Sequence, residues 1–335
     1  MSIQNNKHYY SLDFFRGFCG YGVAICHLYA FVYQNIFMEY LSYLFVELFF
    51  VLSGFVLYPQ LIKVLYKKKN LNIFYLRRWI RTLPLYFLML ILVSVLTNNF
   101  FSLDFFKYVF FIQKAAPNLI ANDFYPVAWS LSIEEYFYLF FPIILLLLNK
   151  ENYIKIIVFI LFALILIKMF FAGLVESNFY RTGTFLRLDA ILVGFVIHHF
   201  IEKILVYKKP LIFGLIILIS LYLFNHQNFI TYREEPILKI TFILLLQAIS
   251  SLTMLFFIFF ENLFNNKKIK KLSVLISTQT YSIYLFHIIL IYLIEKGNFT
   301  PIVSSSIYIP SLFVLSFLIY NYFEKPLLNL RPKMI

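Results

Sequence analysis

Runs of eighteen or more apolar residues, parted only by short charged loops, fill almost the whole of this 335-residue chain. A helix needs that length to cross a hydrocarbon core about 30 Å thick, and in such a medium only an element that satisfies its own backbone persists. The pattern predicts an all-α fold, a polytopic membrane helix bundle. Composition excludes the alternative: 62% of the residues are hydrophobic and 13% charged, whereas soluble domains hold about 45–50% apolar and about 25% charged residues. The net charge of +13 sits between the apolar runs and forms no stripe along a soluble face, so it speaks for membrane topology and against nucleic acid. The first run carries Asp13, Arg16 and His27 and ends without a small-residue cleavage site, which makes it a retained helix rather than a secretory signal. Cys19 and Cys26, seven residues apart on one helix, cannot reach disulfide geometry.

Ten spans are predicted, roughly 12–33, 40–62, 83–97, 128–148, 153–173, 185–202, 209–225, 237–260, 272–294 and 302–323. An even number puts both termini on one side. That side carries 20 Lys and Arg in its loops and tails against 7 on the other, which places the termini in the cytoplasm. The run Phe100 to Ile112 is too short to span and would reverse the charge bias downstream if it did, so an interfacial or re-entrant helix is expected there. No linker or low-complexity tract divides the chain, so residues 1–335 form a single integral-membrane domain. The lack of two inverted halves lowers the case for a secondary transporter.

An ionisable residue within a span costs about 2.5–3.5 kcal/mol on insertion scales, so each one asks for a reason. On the first span, eleven residues at 100° each bring Arg16 and His27 within about 20° of one another, and Asp13 shares their face. Gly17 and Gly20 border that stripe and allow close approach of a neighbouring backbone. At about 1.5 Å per residue, His27 lies about 22 Å from the cytoplasmic start of its span, and His287 of the ninth span returns to about the same level. Glu47, Glu134 and Glu135 lie about 10 Å below the outer surface, with Arg187 and Asp189 at the outer mouth of the sixth span. Five helices thus offer polar groups to one layer in the outer half. Any one carboxylate or histidine can be a structural hydrogen-bonding group, but an imidazole beside carboxylates is the arrangement a general base needs to take a proton from a hydroxyl.

A second constellation lies in the cytoplasmic loop after the second span. Lys67, Lys68 and Lys69 are ordinary positive-inside charge. Arg77, Arg78 and Arg81, at i, i+1 and i+4 with Tyr75 and Trp79 among them, can form a fork for phosphates. A phosphate-rich cytoplasmic donor is the ligand such a fork suits.

These segments together resemble a known family, the bacterial integral-membrane acyltransferase family 3, which O-acylates surface sugars. Ser11-Leu12-Asp13-Phe14-Phe15-Arg16-Gly17, followed ten residues on by His27, is similar to its first-helix motif. Phe49-Phe50-Val51-Leu52-Ser53-Gly54-Phe55 resembles its second-helix signature, and Arg77-Arg78-Trp79-Ile80-Arg81 with Pro84 its arginine loop. The segment Trp129 to Tyr138 resembles a further motif, with weaker echoes at Arg187–Gly194, Tyr281–His287 and Phe323–Pro326. The resemblance implies an acyl-CoA donor, usually acetyl-CoA, held near the arginine loop as co-substrate, with no cofactor bound permanently and no metal. It also implies that His27 and Arg16 are essential for transfer. Some members carry a fused extracytoplasmic hydrolase-like domain; this chain ends soon after its tenth span, so the stand-alone form is expected.

The resulting expectation is an O-acyltransferase of the bacterial cytoplasmic membrane. It would move an acyl group, acetyl in the family's commonest case, to a hydroxyl of an O-antigen, capsule or exopolysaccharide unit. His27 is expected to be the general base or to carry the acyl group itself. Glu134 or Glu47 would orient its ring, while Arg16 would neutralise Asp13 or help hold the donor. Ser53 and Gly54 are expected to admit the thioester or donate to its oxyanion. Glu135, Arg187, Asp189 and His287 are further candidates. The rival reading is a transporter or flippase of polysaccharide intermediates, which predicts flux independent of acyl-CoA.

Overall fold

The structure, a computed structural model, describes residues 8–228 and 235–335. Helices account for all of the regular structure among these residues, in the order α1 (Tyr10–Val32), α2 (Ile36–Tyr66), α3 (Asn70–Leu96), α4 (Leu103–Val109), α5 (Trp129–Leu147), α6 (Tyr153–Phe171), α7 (Ser177–Thr182), α8 (Leu188–His199), α9 (Ile201–Ile204), α10 (Lys208–Phe224), α11 (Pro236–Phe259), α12 (Lys267–Glu295), α13 (Pro301–Ile319) and α14 (Lys325–Asn329). Local chemistry sets several of the boundaries. Asn35, Ser102 and Asn266 accept from backbone amides at the starts of α2, α4 and α12, and proline opens α11 and α13. The start of α1 is capped from a distance, by Glu261 accepting from the amides of Tyr10 and Ser11 at 3.0 and 2.9 Å.

Among the described residues nine helices are long and apolar enough to cross a membrane. The sixth predicted span, 185–202, is the exception. It is broken into a 3₁₀ turn at Phe185–Arg187, the twelve residues of α8, and α9. Twelve residues rise only about 18 Å, so α8 alone falls short of the bilayer. It nonetheless runs parallel to α2 through the bundle, with Arg187 beside Glu47, Gly194 against Val51 and Phe55, and His199 beside Tyr58. Among the described residues, nine long helices and this broken segment make ten passes. The C-terminal end meets the basic face: Arg77 donates to the carbonyl of Pro332, and Asn70 bonds the backbone of Ile335. The run Phe100 to Ile112 holds only the seven-residue α4, flanked by Phe101 and Phe111 with positive φ, and does not span.

Among the inner helices α1, α2, α8 and α12, glycine decides how closely neighbours approach. A Cβ at Gly54 would stand 1.8 Å from the carbonyl oxygen of Ile191, and one at Gly194 would stand 1.9 Å from that of Val51. Backbone therefore touches backbone between α2 and α8, which association in lipid favours because packing and not water expulsion holds the helices together. Gly17 and Gly20 play the same part for α1 against Ile276 and Thr280 of α12. By contrast α6, α10 and α13 leave most of their apolar surface uncovered and form the lipid-facing wall.

Candidate active site

Two cavities open into the bundle from opposite faces. The inner one, of about 240 Å³, lies at the basic face between α1, α2, α3, α5 and α12. The first helix presents Arg16 to it because Asp13, one turn earlier, holds the guanidinium at 3.6 Å. Ser277 of α12 bridges the two, donating to Asp13 at 3.1 Å and accepting from Arg16 at 3.3 Å. Arg77, Arg78 and Arg81 enter from α3, and Arg331 from the segment after α14. Arg78 is steered by Gln60, at 2.8 Å, and lies over the rings of Phe74 and Tyr138. Among the described residues the buried Nε atoms of Arg77 and Arg78 have no hydrogen-bond partner. Burial, and then crowding by Arg81, Arg77 and Arg78, pushes the Arg331 guanidinium down to about 10.

Besides Arg16, which Asp13 pairs, four arginines thus face one carboxylate, Glu134, whose oxygens accept from Ser53 and from Tyr138, each at 2.8 Å. A space so rich in unneutralised guanidinium calls for an anion with several oxygens.

The outer cavity, of about 410 Å³, opens on the opposite face, and His27 lies in its wall. The ring of His27 stacks on Phe31, and its Nδ1 lies 2.9 Å from Nε2 of His287. His287 is fully buried, and its own Nδ1 lies 3.0 Å from the carbonyl oxygen of Ile283. A carbonyl can only accept, so His287 Nδ1 carries a hydrogen and, in a neutral pair, its Nε2 must accept. His27 Nδ1 is then the donor, which leaves His27 Nε2 with its lone pair unprotonated. The pair therefore fixes the tautomer that a base requires.

Val46 lines both cavities. Between them Tyr284 of α12 donates to the carbonyl of Val127 at 2.8 Å and bonds the hydroxyl of Ser130, next to Trp129 at the start of α5. Arg16 and His27, eleven residues apart on α1, are separated by about 16 Å along its axis, with this partition between them.

The predicted site residues fall into separate groups. Arg16, Ser53, Arg77, Arg78, Arg81 and Glu134 line the inner cavity, and His27 lines the outer one. The single outer-half layer expected from depth does not form. Glu134 points its hydrogen bonds at Ser53 and Tyr138, and it is His287 that bonds the His27 ring. Glu47 lines neither cavity: it is ion-paired with Arg187 deep in the bundle. Asp189 is likewise paired with Lys168, and it also accepts from Gln247 at 2.7 Å. Glu135 accepts from Thr82 at 2.6 Å, beside the inner cavity. Gly54 packs on the backbone of α8, away from the donor side, and the Ser53 hydroxyl already donates to Glu134.

Sequence reasoning missed Arg331, Tyr284 and, in the outer cavity, Arg181, Tyr43 and Lys239. Tyr284 was the most accessible of these, since it lies one helical turn before His287 within the motif Tyr281–His287.

Residues 9–321, which include both histidines and all the inner arginines except Arg331, match the family described as an acyltransferase domain, Acyl_transf_3. The O-acetyltransferase OatA of Staphylococcus aureus NCTC 8325 is 27% identical over 212 residues, covering 56% of this chain and 34% of the relative, and OatA of strain COL matches to the same extent. An uncharacterised protein of Haemophilus influenzae is 30% identical over 154 residues, covering 40% of this chain and 62% of the relative. The chain therefore matches about a third of OatA and under two thirds of the Haemophilus protein. No solved structure matches it. The family match runs through the elements that build both cavities, and the chain belongs to the multi-pass membrane acyltransferases of the acyltransferase 3 family.

Proposed function

We propose that this protein is an O-acyltransferase of the bacterial cytoplasmic membrane that moves an acyl group, acetyl in the first instance, from acyl-CoA to a hydroxyl of a cell-surface polysaccharide unit or lipid-linked sugar. The observation that carries this reading is the histidine pair, which leaves His27 Nε2 unprotonated in the wall of the outer cavity. The five arginines of the inner cavity supply what the phosphates of CoA need, from the face that meets the cytoplasm under the positive-inside rule. The acyl-bearing arm would reach from there past Tyr284 and Val46 towards His27. The Staphylococcus relative is named as an O-acetyltransferase, which supports acetyl over a longer acyl group.

In this mechanism His27 Nε2 accepts the proton of the acceptor hydroxyl as its oxygen attacks the thioester carbonyl carbon. The new C–O bond replaces the C–S bond, and the departing thiolate takes the proton back from His27. His287 holds the ring and can stabilise its transient positive charge by accepting from Nδ1. Arg16, fixed by Asp13 and Ser277, acts on the donor side together with Arg78 and Arg81.

The test uses the full chain in proteoliposomes with radiolabelled acetyl-CoA and surface glycan as acceptor. Wild type should transfer label in a CoA-dependent way, and His27→Ala should fold and bind acetyl-CoA yet lose transfer by 10²–10⁴-fold, the range for a removed general base. Undiminished transfer by His27→Ala would remove the base role. Glycan movement without any acylation would favour a flippase instead.

A further inference from the structure

Arg181 sits near the end of α7, in the connection between α6 and α8, where it reads as an ordinary loop charge. In the structure it lines the outer cavity, within electrostatic reach of His27. Its guanidinium carbon lies 3.8 Å from the ring centre of Tyr43 and 4.9 Å from that of Trp129. These rings hold it by their π faces and leave its five N–H groups in the plane between. Among the described residues it makes no hydrogen bond and no ion pair.

The other cations of this cavity are committed. Lys114 pairs with Asp123 at 2.7 Å, and Lys239 donates to the carbonyls of Ala172 and Val175 at 3.2 and 2.9 Å. An arginine placed on aromatic faces in a cavity wall, with none of its donors bonded to a described residue, is a fork for an oxyanion.

We propose that the outer cavity selects an acceptor that carries a negative charge, a carboxylate or a phosphate, which docks on Arg181 and turns a hydroxyl to His27. The inference rests on the reading of the outer cavity as the acceptor site, and it adds the charge of the substrate class. Glu39, which accepts from the Tyr43 hydroxyl at 2.7 Å, lines the same cavity and acts on Arg181 from beyond ion-pair distance, so an anionic acceptor supplies the direct partner that Arg181 lacks among the described residues.

The experiment measures binding apart from chemistry. The chain has two tryptophans, Trp79 and Trp129, so Trp79→Phe in nanodiscs leaves Trp129 as a fluorescence reporter inside the cavity. Three probes with one aglycone are titrated: octyl glucoside, octyl glucuronide and octyl glucoside 6-phosphate. One or both of the anionic probes should bind at least tenfold more tightly than the neutral one, and their ranking assigns the charge to carboxylate or phosphate. Arg181→Gln should erase the preference while leaving octyl glucoside within twofold, and Arg181→Lys should keep part of it. Equal affinities for all three probes in the parent protein, or a preference that survives Arg181→Gln, would overturn the proposal. His27→Ala should keep the charge preference while losing acyl transfer, so a failure of the base reading and a failure of the Arg181 reading give different results.

Discussion

Two groups of intramembrane charge stand side by side in this bundle and are built on opposite rules. Around α8, Glu47 meets Arg187 and Lys168 meets Asp189, two buried cations against two buried anions. Around the start of α3, four arginines beyond the Arg16–Asp13 pair meet a single glutamate and border open volume. Neutralised charge without a cavity holds helices in register, whereas surplus charge with a cavity waits for a ligand. An ionisable residue in a span is therefore informative about function only once its partner is known, since desolvation is tolerable inside a matched pair and costly outside one.

The contrast is broken most severely by removing one member of the neutral group. Glu47→Ala leaves Arg187 buried without a counter-charge, a loss of about 3–5 kcal/mol. The variant should therefore melt well below wild type in detergent and accumulate poorly in membranes. Replacing both partners, Glu47→Leu with Arg187→Leu, should restore much of the melting temperature, because an apolar pair of similar size often equals a buried ion pair. If the double variant melts as low as Glu47→Ala, Glu47 has a duty beyond pairing. In the surplus group the expected pattern is the reverse. Arg81 makes no hydrogen bond or ion pair with a described residue, so Arg81→Ala should leave melting unchanged or slightly raise it by relieving repulsion. Its effect should fall on the donor: a KM for acetyl-CoA raised roughly tenfold to a hundredfold, from the loss of charge-assisted bonds of about 1.5–3 kcal/mol. That increase should shrink as salt is added.

Much of this organisation was legible in the chain, and physics explains which part. Bilayer thickness sets the length of a span, so the long helices and the short run at Phe100–Ile112 could be read directly. Helical periodicity is equally strict, and it put Asp13, Arg16 and His27 on one face, the face that packs on α12. Cross-helix pairing has no such local signature. Glu47 and Arg187 are 140 residues apart, so nothing in the chain shows that they neutralise one another rather than serving His27. Hydropathy also passed 185–202 as an unbroken span, because Arg187 and Asp189 are tolerated by partners on α2 and α6. Arg331 and Arg181 were hidden for the opposite reason: in sequence, a loop arginine at a cavity looks the same as one that only sets topology.

A third ionic group, at the outer water edge, offers the mildest test of the same rule. Asp104 of α4 accepts from the amides of Ala121 and Asn122 at 3.1 and 2.8 Å and from Lys107 at 2.8 Å. It thereby pins the segment that leads to Asp123 in the outer cavity wall. Burial raises its pKa, but the Lys107 bond and the two amides outweigh burial and hold it below the ordinary carboxylate value. A depressed folded value means that the contribution is present at neutral pH and fades as pH falls through that value. Hydrogen exchange at Ala121 and Asn122 should therefore be slow at pH 7 and, after correction for intrinsic rates, lose protection several-fold towards pH 3. In Asp104→Asn the two amides should be less protected at every pH, by about 1 kcal/mol, with the pH dependence gone. The transmembrane helices should show neither change, since no described residue of the two inner charge groups touches this carboxylate. A pH-independent profile in wild type would mean that the wall is held by the packing of Phe105 and Tyr108 instead.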